Sequence, residues 1–244
     1  MREYWEDIDM IGIPLGLLYA NAAEWLAHKY ILHGLGKSKA NWWSFHWHDH
    51  HRAARKHGHI DAKYRESPWS EDTPQRRELI ALGLATAAHL PLFAVAPFFT
   101  SAVVYSACNY YRVHRKSHID PTWAREHLPW HYDHHMGPNQ HANWCVTKPW
   151  FDHLMGTREP YVGTERETSD RAKRLVRQQR KAARLAQAAL RVAASTGSEQ
   201  SAVPHAQISH GQAANSETER PVVRLVQAAR SEAANSETEH KAAS

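Results

Sequence analysis

The chain has 244 residues, and its 30 Lys and Arg against 25 Asp and Glu give a formal net charge of +5. Its two cysteines, Cys108 and Cys145, are too few for a disulfide framework and form no CxxC pair for a zinc ribbon. The unusual count is 20 histidines, 17 of which lie between residues 28 and 153. We therefore expect the function to reside in the first two thirds of the chain.

The first apolar segment covers residues 8–27. Its length of about 20 residues matches one membrane span at a rise of about 1.5 Å per residue. Gly12 and Gly16 form a GxxxG pair, which favours close packing against another helix. The acidic residues that precede the segment differ from the basic start of a signal peptide, so we expect a membrane helix that is retained.

The second apolar segment is longer. Residues 79–111 form a run of 33 residues without Asp, Glu, Lys or Arg, and Pro91 and Pro97 interrupt it. This pattern predicts a helical hairpin, at about residues 79–94 and 97–113; the alternative is a buried helical pair in a soluble protein. Basic residues follow both apolar segments, which places the segments after them on the cytosolic side of a membrane. The side of the N-terminus stays open.

Histidines occur in four groups. Each group is short enough to lie on a single helix. Spacings of three and four residues bring side chains to one helical face, and neutral imidazole binds iron, zinc, copper and nickel. The first and third groups begin where the apolar segments end, so the proposed topology brings all four groups to one face of the membrane. Ten histidines exceed the coordination of one metal ion and indicate two. The groups are His28 and His33; His46, His50 and His51; His114 and His118; and His131, His134 and His135.

The order and spacing of these groups around an apolar hairpin resemble the fatty acid hydroxylase / sterol desaturase superfamily of integral membrane di-metal enzymes. The segment from Trp150 to Thr157, with Asp152 and Gly156, is similar to the closing Trp/Phe-Asp-x-x-x-Gly-Thr of that family. The resemblance covers residues 8–160. It implies an all-α fold in which a bundle of three or four membrane helices carries a cytosolic histidine-rich cap.

The resemblance also implies a set of metal ligands, which carries over by position to the ten histidines of the four groups. The second group contains His48 as well, so the choice between His46 and His48 stays open. Other side chains nearby are candidates to support the ligands or to extend the set, although the simpler interpretation of each is a solvated charge, a helix cap or polar filler. These are Glu24, Asp49, Asp133 and Asp152 among the carboxylates, and His57, His59, His127 and His141 among the histidines.

The activity that the resemblance implies is O2-dependent hydroxylation by two iron ions at an unactivated C–H bond of an acyl or related lipid chain. A desaturase with the same centre is one alternative, and a non-catalytic membrane metal-binding protein is another; zinc can take the same ligands. The chain has no His-Pro-Gly-Gly haem segment and no GxGxxG fingerprint. We therefore expect electrons from a separate ferredoxin, cytochrome or reductase, and no nucleic-acid partner.

The expected location is a bacterial inner membrane or the endoplasmic reticulum, with several membrane crossings and the histidines facing the cytosol. The mean hydropathy of −0.65 does not exclude this, because it averages the apolar segments with a polar tail. We predict a catalytic domain at residues 1–160 and a largely disordered low-complexity tail at 161–244, which repeats Ala-Ala-Asn-Ser-Glu-Thr-Glu at 213–219 and 233–239.

One part of the tail is predicted to be helical. Residues 171–191 contain eight basic residues and no acidic residue, and their Ala and Leu content favours a helix that Ser169 or Asp170 could cap. Such a helix either lies on an anionic membrane surface or is simply solvated.

Overall fold

The computed structural model describes residues 11–69 and 72–199, with side chains described as far as residue 192. These residues form helices, turns and loops, and they contain no strand, which confirms the predicted all-α class. The beginning of the first apolar segment and both copies of the repeated heptapeptide lie outside the described residues.

Eight α-helices and several shorter turns make up the described chain. Helix α1 spans Gly12–Leu26 and continues as a π-helical turn over Ala27–Leu32. A second π-helical turn, His46–His51, leads into α2. Among the described helices, none joins sufficient length to sufficient apolar character for a membrane crossing. The remaining helices are α2 (Arg52–Lys56), α3 (Pro74–His89), α4 (Pro97–Ile119), α5 (Pro121–His127), α6 (Pro129–Met136), α7 (Trp150–Leu154) and α8 (Glu165–Glu199).

Helices α3 and α4 form the helical hairpin that the uncharged run predicted. Thr73 caps α3 by accepting a hydrogen bond from the Arg76 amide at 3.1 Å, and Pro74 occupies the first turn. Pro97 begins α4 in the same way, after a 3-10 turn at Leu90–Ala94. Both helices extend beyond the apolar run, so their charged and histidine-bearing ends belong to the same rigid elements as their apolar parts.

The two glycines of the GxxxG pair let α1 approach α4 closely, as the pattern predicted. A Cβ atom at Gly16 would lie 2.7 Å from both the Phe99 carbonyl oxygen and the Ala102 Cβ. One at Gly12 would lie 2.8 Å from the Phe99 amide nitrogen. Because any side chain at these positions would meet the α4 backbone, the contact fixes the distance between the helices that carry the first and third histidine groups.

The packed part of the chain continues past residue 160. Tyr161 is 3 % exposed and lies in a buried cluster with Ala124, Tyr132 and Met136. The chain divides into two compact units between residues 182 and 183, which places the first turns of α8 with the histidine-bearing unit. The expected tail therefore contributes residues to the core.

Helix α8 contains the whole predicted basic segment, so its helical prediction is confirmed. The helix begins at Glu165, earlier than the expected cap at Ser169 or Asp170. Glu167, in its first turn, is 2 % exposed and accepts two hydrogen bonds from Arg125, at 2.7 and 2.9 Å. This buried carboxylate anchors the start of α8 to α5.

Candidate metal centre

The four histidine groups meet in one buried region, at the ends of α1 and α4, in the second π-helical turn and on α6. Each of the ten predicted ligands is at most 3 % exposed. So many ionisable side chains are rarely buried together unless they are paired or bind a metal ion. The structure thus brings the ten predicted ligands together in one region.

Two of the groups depend on π-helical backbone. His28 and His33 are five residues apart, which in an α-helix would turn their side chains about 140° away from each other. The π-helical turn instead closes a hydrogen bond over five residues, from the His33 amide to the His28 carbonyl at 2.9 Å. His46 and His51 share this spacing within the second π-helical turn. Spacings of three and four alone do not explain these two pairs.

The first cluster consists of five imidazoles whose ligand atoms all lie within 4.8 Å of one another. The Nε2 atoms of His28 and His46 are 2.9 Å apart. The Nε2 atom of His134 lies 3.1 Å from those of both His33 and His51. The first cluster is His28, His33, His46, His51 and His134.

The second cluster consists of four imidazoles under the same 4.8 Å limit, namely His50, His114, His118 and His135. His131, the tenth predicted ligand, joins it through His118, since their Nε2 atoms are 3.0 Å apart. His131 and His118 also form a third set with His59. The ten histidines thus divide five and five between two neighbouring positions.

Hydrogen bonds at Nδ1 orient five of the imidazoles. An imidazole that donates its Nδ1–H keeps a lone pair on Nε2, which is the arrangement of a metal-binding histidine. In each case the Nε2 atom faces the clusters. The Nδ1 donors and acceptors are His28 to Trp144 O (2.5 Å), His134 to Ala142 O (2.7 Å), His118 to His59 O (2.9 Å), His50 to the Asp61 carboxylate (2.9 Å) and His114 to the Glu78 carboxylate (2.7 Å).

The electrostatics of the clusters fit a bound cation. Burial lowers the pKa of His46, His51 and His135 well below its usual value, and the neighbouring histidines lower it further, so these rings are neutral at pH 7. Neutral rings point nitrogen lone pairs at one another, and they carry no positive charge that would repel a metal ion. The Nε2 atoms of His50 and His114 are buried without a hydrogen-bond partner. Donor type, burial and unpartnered nitrogens all match the two-metal expectation.

The structure separates His46 from His48. His46 is 3 % exposed and belongs to the first cluster. His48 is only half-buried, lies outside the clusters, and places its Nε2 atom 2.9 Å from the Lys37 carbonyl oxygen. His127 and His141 also lie outside: His127 stacks on Trp123 and His141 on Trp47.

Three of the four candidate carboxylates bond to groups other than the ligands, and the fourth, Asp49, points to solvent. Glu24 accepts hydrogen bonds from the Val146 and Thr147 amides. Asp133 pairs with Arg158 at 2.7 Å. The expectation of direct support from these residues does not match their contacts, because the loops that follow α6 and α7 supply their donors.

Asp152 is connected to a predicted ligand indirectly, through the backbone of Trp144. It accepts hydrogen bonds from the Trp144 and Cys145 amides at 2.8 and 2.9 Å, and from the Thr157 hydroxyl at 2.7 Å. The carbonyl of Trp144 in turn accepts from His28. Asp152 therefore positions the backbone acceptor that orients His28, a predicted ligand.

Two carboxylates near the metal centre escaped the sequence prediction as supporting groups. Asp61 and Glu78 are the carboxylates that bond to ligand histidines, and they are 1 % and 8 % exposed. His59, which was a candidate additional ligand, is fully buried within the third set. Glu78 borders the uncharged run, but its partner His114 is 36 residues away, and no spacing pattern connects the two.

A cavity of about 280 Å³ adjoins both clusters and lies between α1, α3 and α4. Small side chains such as Ala23, Ala81 and Ala107 line its walls. His28 and His46 of the first cluster and His114 of the second reach it from the metal-binding end. Tyr19 and His89 also line it, joined by a hydrogen bond of 2.8 Å, and Tyr19 lies about 13 Å along α1 from His28 at 1.5 Å per residue.

Comparison of the chain with protein-family models, with curated proteins and with solved structures finds no match.

Proposed function

We propose that the chain is a membrane-bound, O2-dependent di-iron lipid hydroxylase that acts on an unactivated C–H bond of an acyl or related chain. One observation carries the proposal: the apolar cavity is lined by histidines of both metal clusters, namely His28, His46 and His114. A chain in this cavity would lie against the two metal positions without passing through solvent. A site used only for metal storage has no need of such a cavity.

The dimensions of the cavity favour a slender substrate. Its volume of about 280 Å³ is near the lower end of small-molecule pockets, which span about 300–1,000 Å³. Alanines line the cavity over several helical turns, and their short side chains leave room for a chain between the helices. They lie at positions 20, 23, 27, 81, 85 and 107. We infer that the cavity takes a single extended hydrocarbon chain, which fits better than a fused-ring sterol.

The side chains of the clusters would hold the metals and keep water away. Two iron ions, when bound and reduced, would supply the activation of O2 that the protein's own groups lack. The Nδ1–H donors of His50 and His114 bond to Asp61 and Glu78, so their Nε2 lone pairs stay directed at the metal positions. The apolar walls of the cavity hold the chain beside the centre and exclude solvent.

The membrane location is proposed from exposed apolar side chains on the hairpin and α1. Leu18 is 47 % exposed, Leu84 69 %, Phe93 55 % and Val95 79 %. Apolar residues exposed in such numbers usually meet a membrane or a partner protein. We infer that they face lipid, that the basic side chains of α8 lie near the anionic membrane surface, and that a separate ferredoxin, cytochrome or reductase delivers electrons at the histidine-rich end.

The decisive experiment is lipid analysis of a host with and without the gene, followed by assay of the purified protein with an electron donor, O2 and the lipid found. A hydroxylase yields a product heavier by one oxygen atom. A product lighter by two hydrogen atoms would assign a desaturase with the same centre. His134→Ala should abolish product formation, whereas His127→Ala, on an exposed stacked ring, should not. Bound iron with no change in any lipid would contradict both activities and favour a metal-binding role.

A further inference from the structure

Among the described residues, His59 is the one buried histidine outside the four groups that belongs to a set able to hold a metal ion. Its side chain is fully buried, and both ring nitrogens lack a hydrogen-bond partner. Burying two unpartnered polar atoms is costly, so such a ring requires a ligand for at least one of them.

The position of His59 points to the second cluster. One of its nitrogens lies within 4.8 Å of the ligand atoms of His118 and His131. His118 donates Nδ1–H to the His59 carbonyl at 2.9 Å, so His118 has only Nε2 left for a metal. One nitrogen can bind only one ion, and His118 is also a member of the second cluster. The set with His59 and the second cluster therefore serve the same ion.

The backbone at His59 supports a specific role for the residue. Its φ is +82°, in the left-handed region that non-glycine residues seldom occupy, and Gly58 before it has φ +69°. The turn is closed by a hydrogen bond from the His59 amide to the Ala54 carbonyl at 2.7 Å. Strained residues of this kind cluster at functional sites, where the surrounding structure holds them in place.

We propose that His59 is an eleventh histidine ligand and binds the metal ion of the second cluster. The inference rests on the two-metal centre of the proposed function. It makes the centre asymmetric, because the second ion then has six candidate histidines, His50, His59, His114, His118, His131 and His135, against five for the first. The first cluster contributes two of the three predicted ligands that line the cavity, so the less crowded ion is the one beside the substrate chain.

Two variants test the role of the ring from opposite directions. His59→Phe keeps a ring that can stack on His118, where the His59 ring now lies with centroids 4.5 Å apart, but it removes both nitrogens. His59→Gly removes the ring and relieves the positive φ. His57→Phe is the matched control, because His57 is exposed two residues earlier. The readout is titration of the full-length apo-protein with Fe(II) under anaerobic conditions, after circular dichroism has confirmed helical content.

The expected result is two tight ions in the unchanged protein and in His57→Phe. In His59→Phe and His59→Gly, the first ion should bind as before and the affinity for the second should fall on the order of tenfold or more. Binding of both ions to either folded His59 variant with unchanged affinity would overturn the proposal and reduce His59 to a stacking residue. If the unchanged protein itself did not bind two ions, the result would instead contradict the di-metal centre. Lipid products are assayed separately, so failure of the proposed hydroxylase activity can be distinguished from failure of the proposal for His59.

Discussion

The Nδ1 atom of His114 lies 2.7 Å from the Oε1 atom of Glu78, and both side chains are buried. The same carboxylate accepts a hydrogen bond from the Tyr64 hydroxyl. Glu78 thereby fixes the orientation of a ligand on α4 from a position on α3. The hairpin is thus tied to the metal centre at its polar end, where the cavity also begins.

Replacing Glu78 by Gln should weaken metal binding without dismantling the fold. The amide keeps an acceptor for His114 but removes the negative charge that strengthens its hydrogen bond. Substitutions of this kind typically cost on the order of 10–100-fold in metal affinity. Metal titration of the second site measures the effect. Glu66→Gln, an exposed carboxylate paired with Lys63, is the control and should bind both ions normally; equal affinity in Glu78→Gln would remove Glu78 from the centre.

His46→Ala and His48→Ala should behave differently. His46 is buried in the first cluster, whereas the His48 ring lies near the Lys37 carbonyl and outside the clusters. Loss of His46 leaves four histidines at the first position, so the metal content of the purified protein should fall towards one ion. His48→Ala should retain two. Elemental analysis after dialysis against a chelator decides between them, and the opposite pattern would exchange the roles of the two residues.

Much of this centre follows from local sequence. The ten ligands, the hairpin and the GxxxG contact are set by spacing within single segments, and a pattern of histidines or small residues reveals them directly. The π-helical turn at His28 and His33 also has a local signal in the sequence, which is the spacing of five residues between two histidines at the end of a helix.

Other parts depend on long-range contacts that carry no local signal. Glu78 bonds to a histidine 36 residues away and Asp61 to one 11 residues away, while Glu24 and Asp133, which are closer in sequence to ligands, bond to backbone amides and to Arg158. Tyr161 looked like part of a polar tail because its neighbours have few apolar residues. Its burial depends on a cluster formed by α5 and α6, which composition of the segment alone does not encode.

Filling the cavity should impair turnover of long chains while leaving the metals in place. Ala85 lines the cavity on α3, whereas Ala87 on the same helix is not among the residues that line it. Ala85→Phe should lower kcat/KM for a long-chain substrate on the order of tenfold, because the ring would occupy space needed by the chain. Shorter chains should be affected less. Ala87→Phe adds the same bulk and is the control.

Assay of a chain-length series with both variants tests this expectation, with metal content measured in parallel. Equal loss at every chain length would indicate a general disturbance of α3. Unchanged kinetics in Ala85→Phe would show that the substrate does not occupy this cavity, and the proposed orientation of the chain would then be wrong even if the hydroxylase activity stands.

Shortening the chain after residue 182 and after residue 164 should give different proteins. A chain ending at residue 182 keeps the compact unit that holds the histidines. A chain ending at residue 164 loses Glu167, which accepts hydrogen bonds from Arg125 and from the Gly163 amide. Hydrogen bonds to charged groups contribute about 1–3 kcal/mol, and Arg125 is partly exposed, so we expect a loss of free energy of unfolding towards the lower end of that range.

Thermal melting of both shortened proteins, metal-loaded, measures this difference. The chain ending at residue 182 should melt close to the full-length protein and retain activity, and the shorter one should melt earlier. Glu167→Gln in the full chain separates the ion pair from the rest of α8: it should reproduce most of the destabilisation, because the amide cannot form the charged pair with Arg125. If the chain ending at residue 164 matched the full-length protein in melting temperature and activity, the contact between α8 and α5 would have no stabilising role, and the domain boundary would lie near residue 160 after all.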